Sequence, residues 1–130
     1  IMSQNLKSVT VGWFEIPVQD MKRAIKFYND IFNTQLSLQT IEGLEMAWFP
    51  WNQNDKGAGG SLIKAGKHYK PSHHGTQIYF SSDDVNVELQ RVKKAGGKII
   101  QEKTEITPEI GFMALFEDTE GNRIALHSQH

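Results

Sequence analysis

The chain repeats itself. Laying residues 10–65 over residues 74–129 matches an apolar run, an aspartate, a helix-periodic stretch and three further short runs in each half. In "GWFEIPVQDMKRAIKFYNDIF" the residues Met21, Ile25, Phe27, Tyr28, Ile31 and Phe32 recur at helical spacing after Asp20. In "TQIYFSSDDVNVELQRVKKAGG" Val85, Leu89 and Val92 do the same after Asp84. Both aspartates suit helix N-caps, where a carboxylate accepts from free N–H groups of the first turn. Asn33 and Gly96-Gly97 suit left-handed helix stops. The runs that follow are "QLSLQT", "LEMAWFPW" and "GGSLIKA" in one half, and "GKIIQE", "GFMALFED" and "NRIALHS" in the other, with turn residues between them. Each half therefore reads βαβββ. We expect one α+β domain over residues 1–130, with module 1 at about 8–66, a polar linker at about 67–74 and module 2 at about 75–129.

Composition narrows the function classes. A length of 130 residues suits one domain with a real core. A formal net charge of -1 supplies no basic field for nucleic acid. The chain has no cysteine, which removes disulfides, thiolate nucleophiles and cysteine-ligated zinc, and suits a cytoplasmic protein. The opening "IMSQNLKSV" lacks the apolar run of a signal peptide, and no stretch reaches transmembrane length, so no membrane partner is expected.

Two βαβββ modules, with "D-M-x-R-A-I-x-F-Y" after the first strand and "D-T-E-G-N-R-I-A-L-H-S" closing the second, resemble the vicinal oxygen chelate superfamily. That group contains glyoxalase I, the bleomycin-resistance proteins and the extradiol dioxygenases. The resemblance covers about residues 8 to 129. It implies mixed sheets curled around a cleft, helices on the outer face, and a homodimer in which a second copy covers open sheet edges.

The resemblance also implies where a metal would bind. First-strand ligands lie seven residues before each capping aspartate, which gives Trp13 and Gln77. A last-strand ligand falls three residues after the Asn of "G-N-R-I-A", at Ala125, and its first-module counterpart falls at Ile63, give or take one or two residues. A catalytic divalent site needs roughly three protein ligands and an open position. Among these four side chains only the Gln77 amide oxygen can ligate. No metal and no other cofactor is expected.

Strand alternation then assigns the cleft face. Phe14, Ile16 and Val18 form the helix-covered side, which leaves Trp13, Glu15 and Pro17 for the cleft. By the same parity Gln77, Tyr79 and Ser81 face it, as do Arg123, Ala125 and His127. The strands holding Met46, Trp48, Phe112 and Met113 are apolar on both sides, so their parity stays open; Trp48 is counted with the ligand-binding set. An apolar wall with sparse polar groups is what an organic ligand needs. Glu15 beside an indole is a candidate proton shuttle, with His127 as a candidate partner. Each has a plainer reading: Glu15 bonded to an amide or an Arg, Trp13 as packing, Gln77 and Tyr79 as cross-strand pairs, His127 as an idle surface group. His68, His73 and His74 sit in the linker and read as solvated.

Three functions stay in play. The first is metal-free binding of a small organic ligand in the cleft, as in the bleomycin-resistance members. The second is an isomerase, epimerase or lyase acting on a carbonyl compound through Glu15. The third is a glyoxalase I-type metalloenzyme, a lactoylglutathione lyase, with displaced ligands.

Overall fold

The computed structural model describes residues 5–130, so the first four residues of the N-terminal segment lie outside it. The elements follow the duplicated plan. Module 1 contains β1 (Trp13–Pro17), α1 (Met21–Phe32), β2 (Ser37–Ile41), β3 (Leu44–Trp48) and β4 (Gly59–Lys64). Module 2 contains β5 (Tyr79–Ser81), α2 (Val85–Lys94), β6 (Lys98–Thr107), β7 (Gly111–Glu117) and β8 (Arg123–Ser128). Each module folds into its own four-stranded sheet, ordered β1-β4-β3-β2 and β5-β8-β7-β6. Both sheets are mixed: β1 runs parallel to β4 and β5 parallel to β8, and the other ladders are antiparallel.

The helix boundaries are set locally. Asp20 accepts from the Arg23 amide and Asp84 from the Asn86 amide, each at 3.0 Å. Asn33 closes α1 at φ 50, a left-handed angle that an Asn tolerates. The end of α2 differs slightly: Ala95 remains right-handed and Gly96, at φ +104, makes the reversal. The strand β6 runs to Thr107, well past the "GKIIQE" run, because pairing with β7 continues through a bulged and mostly polar stretch.

Packing joins the modules into one core. Ile16, Ala47 and Leu62 from the first sheet, Ala114, Phe116 and Leu126 from the second, and the inner faces of both helices form a single buried cluster. Phe14 and Phe80, from strands in different sheets, meet edge to face at 5.6 Å. The Arg91 guanidinium of α2 donates to the Ile31 carbonyl of α1 at 3.0 Å.

The β7–β8 turn supplies the polar part of the joint. Asp118 is buried and accepts from the Tyr28 hydroxyl at 2.7 Å, and also from the Glu120 and Asn122 amides. Burial raises the Asp118 pKa despite those donors, and burial beside Asp118 raises the Tyr28 pKa well above its ordinary value. Glu120 accepts from the Gln19 and Asp20 amides, each at 2.8 Å, and from Arg23. The Asn122 amide donates to the Pro17 carbonyl at 2.8 Å. The turn of module 2 thereby grips the β1–α1 corner of module 1.

Candidate functional site

The strands β1 and β5 are edge strands of separate sheets, and a cavity of about 760 Å³ lies between them. Both modules of the same chain line it. Module 1 contributes Trp13, Glu15 and Pro17 from β1; module 2 contributes Gln77, Tyr79 and Ser81 on and just before β5, with Arg123 from β8. These seven are residues that strand parity assigns to the cleft. Two further segments close the sides: Lys56 belongs to the loop before β4, and Lys70 and Ser72 belong to the linker.

An aromatic wall stands on the first sheet. Trp13 and Trp48 meet edge to face, with ring centroids 5.9 Å apart. Gly59 makes room for a third indole, since a Cβ there would lie 3.1 Å from the Trp51 ring and 3.4 Å from that of Trp13. The chain has three tryptophans, and all three gather here. Trp13 lines the cavity while Trp48 and Trp51 back it. The ladder decides the open parity on β3: Ala47 joins the helix-side core, so Met46 and Trp48 face away from the helices. On β7 Ala114 and Phe116 join that core, which puts Met113 with the cleft side and Phe112 with the helix side, where Lys103 sits 4.7 Å over its ring.

Glu15 is the cavity's carboxylate; hydrogen bonding to it and its charge raise the pKa of Tyr69 in the linker, although Tyr69 does not itself line the cavity. On the other side Arg123 Nη1 donates to Gln77 Oε1 at 3.0 Å. That bond fixes the amide's orientation. Gln77 Nε2 is then left buried with no acceptor. His127 is not brought to Glu15; its Nε2 lies 2.6 Å from the Ile110 carbonyl, and it is not among the residues lining the cavity.

The ladders also refine the metal-ligand positions. Ala125 stands opposite Tyr79, two residues beyond Gln77. The equivalent residue opposite Glu15, two beyond Trp13, is Ser61 rather than Ile63. Ser61 is fully buried, and its hydroxyl has no partner among the described residues. The four positions are thus Trp13, Ser61, Gln77 and Ala125. Gln77 Oε1 already accepts from a guanidinium, so a divalent cation there would lie against a permanent positive charge. Among the described residues no three His, Cys, Asp or Glu side chains converge on one point. These residues do not fit the metal that the metal-dependent relatives use.

Sequence reasoning did not identify Lys56, Lys70 or Trp51. All three lie in irregular segments, where strand parity assigns no face. The linker was legible as a connection, and its role as a cavity wall was not. It is held there by the Ser72 amide on Asn122 Oδ1 (3.2 Å), the Arg123 amide on the Ser72 carbonyl (3.4 Å), and His73 beside Glu117 at 2.7 Å.

Comparison with known proteins agrees with this architecture. Residues 10–126 match the sequence pattern of the Glyoxalase/Bleomycin resistance protein/Dioxygenase superfamily. A "Glyoxylase-like domain-containing protein" of Didymella fabae is 29% identical over 122 residues, covering 89% of this chain and 91% of its own length. Glyoxalase I from Zea mays superposes with a TM-score of 0.70 at 20% identity, over 92% of this chain and 44% of that one. The chain therefore spans less than half of the maize enzyme. An antibiotic binding protein from Streptomyces sp. CB03234 superposes with a TM-score of 0.70 at 22% identity, over 95% of this chain and 98% of that one. At these identities the two structures establish likeness of fold alone.

Proposed function

The chain belongs to the Glyoxalase/Bleomycin resistance protein/Dioxygenase superfamily, and from that premise we propose that it binds a small organic ligand, without a metal ion, in the cavity between β1 and β5. The observation that carries this reading is the Arg123–Gln77 bond. It occupies one of the two side-chain oxygens at the family's ligand positions, and the other, the Ser61 hydroxyl, is a single neutral ligand where a divalent site needs roughly three. The aromatic wall beside it offers a planar ligand large apolar area, and the cavity's volume falls within the range of organic-ligand sites. The likeness to an antibiotic binding protein is consistent with this use of the fold. The same reading takes the protein to be a cytoplasmic homodimer, in which a second copy covers open sheet edges.

A second reading has one observation in its favour. Glu15 places a carboxylate in the cavity and raises the pKa of the nearby Tyr69 phenol, two groups able to pass a proton to and from a carbonyl compound. Binding leads because several residues support a pocket, whereas catalysis rests on this pair.

Tryptophan fluorescence titration of the wild type and of Trp13→Ala with planar aromatic compounds tests the proposal. The variant should stay folded and lose about 2 kcal/mol or more of binding free energy. If it instead loses thermal stability at unchanged affinity, Trp13 is core and the reading fails. Stoichiometric zinc, nickel or iron in protein purified without a histidine tag would overturn the metal-free part.

A further inference from the structure

The polar groups of the cavity are unequal in kind. Three cationic side chains line it (Lys56, Lys70 and Arg123) against a single carboxylate, Glu15. That carboxylate has a linker phenol as its neighbour, the Tyr69 hydroxyl, whose pKa it raises. The cations have no such partner: among the described residues none of the three forms an ion pair with Asp or Glu. Arg123 spends Nη1 on the neutral oxygen of Gln77, and among the described residues its other N–H donors find no acceptor. Gln77 Nε2 is a further donor without an acceptor. What the cavity lacks is therefore an acceptor, and its surplus charge is positive.

The placement of these groups restricts the ligand further. Arg123 and Gln77 belong to module 2, while the indole of Trp13 belongs to the facing strand of module 1. A molecule that satisfies both sides must present a flat apolar body to the indole and an anionic group to the guanidinium. Arginine suits the second role because its planar fork matches a carboxylate. Lys56 and Lys70 lie on irregular segments at the sides of the cavity, where long flexible cations attract an anion before it docks.

We propose that the cavity selects planar aromatic acids, with the ring system against Trp13 and Tyr79 and the carboxylate on Arg123. This rests on the ligand-binding reading above and adds the charge and shape of the ligand.

The test uses three probes of one shape and different charge: 2-naphthoate, neutral 2-naphthamide and (2-naphthylmethyl)ammonium. Each is titrated against the full chain at low and at physiological salt. We expect 2-naphthoate to bind about tenfold or more tightly than the ammonium compound, and its advantage to shrink as salt rises. Arg123→Gln should weaken 2-naphthoate about tenfold and change 2-naphthamide by less than about threefold. Lys56→Gln combined with Lys70→Gln alters only loop residues; it should slow 2-naphthoate association several-fold and flatten its salt dependence. Equal affinity for all three probes, a preference for the cation, or a charge preference unmoved by both sets of substitutions would overturn this inference and leave the binding site standing. Failure of all three probes to bind would overturn both.

Discussion

The guanidinium of Arg23, on the first-module helix, and the carboxylate of Glu120, in the second-module turn, meet at 2.7 Å. The Glu120 side chain is wholly buried while that of Arg23 is half in water. Glu120 also satisfies the Gln19 and Asp20 amides at the start of α1. One carboxylate therefore fastens the modules together and caps a helix. Glu120→Gln retains an acceptor for the amides but leaves Arg23 without its counter-charge. Because Arg23 is solvated, the expected loss is moderate, about 1–2 kcal/mol at neutral pH, read from urea denaturation midpoints.

That loss should depend on pH in a defined direction. Burial opposes the charge on Glu120, but Arg23 and the two backbone amides outweigh it, and its pKa lies below the ordinary 4.5. A depressed carboxylate pKa contributes stability that is present above the unfolded value and is lost as pH falls through the folded one. The gap between wild type and Glu120→Gln should hence be constant from neutrality down to about pH 5 and close on further acidification. A gap that widens below pH 4.5 would show that the pair does not hold Glu120 ionised.

The Tyr69–Glu15 contact has a spectroscopic signature. The chain has three tyrosines, and Tyr69 titrates above the ordinary 10.0 because its hydroxyl is bonded to a carboxylate. Glu15→Gln removes the charge that opposes the phenolate, so the Tyr69 transition should move down toward 10.0 in an ultraviolet titration. Tyr69→Phe should delete the same transition. Curves that superpose for all three proteins would mean that the linker does not reach Glu15 in solution.

Glu15→Gln also separates binder from enzyme. A catalytic Glu15 would lose on the order of 10²-fold or more in rate with binding intact. In a binder it loses affinity for cationic ligands only, and anionic ligands bind equally well or better once the like charge is gone. The binder's pattern is the expected one, measured by calorimetric titration with the charged naphthyl probes.

Gly60, on the neighbouring strand β4, offers a test of packing on the helix-covered face of the first sheet. It stands beside Phe14 in the ladder, and a Cβ there would run into the Phe14 ring. That ring is pinned by Phe49 and Phe80, each 5.6 Å away, so it has little room to yield. Gly60→Ala should destabilise the protein by about 1–3 kcal/mol in thermal or urea melts. Wild-type stability in this variant would show the aromatic cluster to be looser than its distances suggest.

What the sequence made legible was local or periodic. Asp20 and Asp84 could be read as caps because a cap depends on the next three residues, and Trp13, Glu15, Gln77 and Tyr79 could be placed by a period of two. Glu120 could not be read this way. In "DTEGNR" it looks like a turn residue, and its partners lie about a hundred positions earlier in the chain. Trp48 needed the ladder itself, since its strand is apolar on both faces. His127 was a candidate partner for Glu15 with no register to bring them together, and in the structure its Nε2 lies against the Ile110 carbonyl.

Positions that the duplication makes equivalent now hold unlike side chains: Trp13 against Gln77, Glu15 against Tyr79, Pro17 against Ser81. Two identical modules would build a socket with a two-fold axis, and a ligand lacking that symmetry would sit in it equally well either way round. Here one side offers an indole and a carboxylate, and the other an amide, a phenol and a guanidinium. The linker crosses on one side only, so it breaks the equivalence again. Turning a ligand end for end would set its acidic group against Glu15 and its apolar body against Arg123. The unlike halves thus make the socket keyed rather than symmetric, and on the proposed binding reading a ligand with unlike ends has a single favourable orientation.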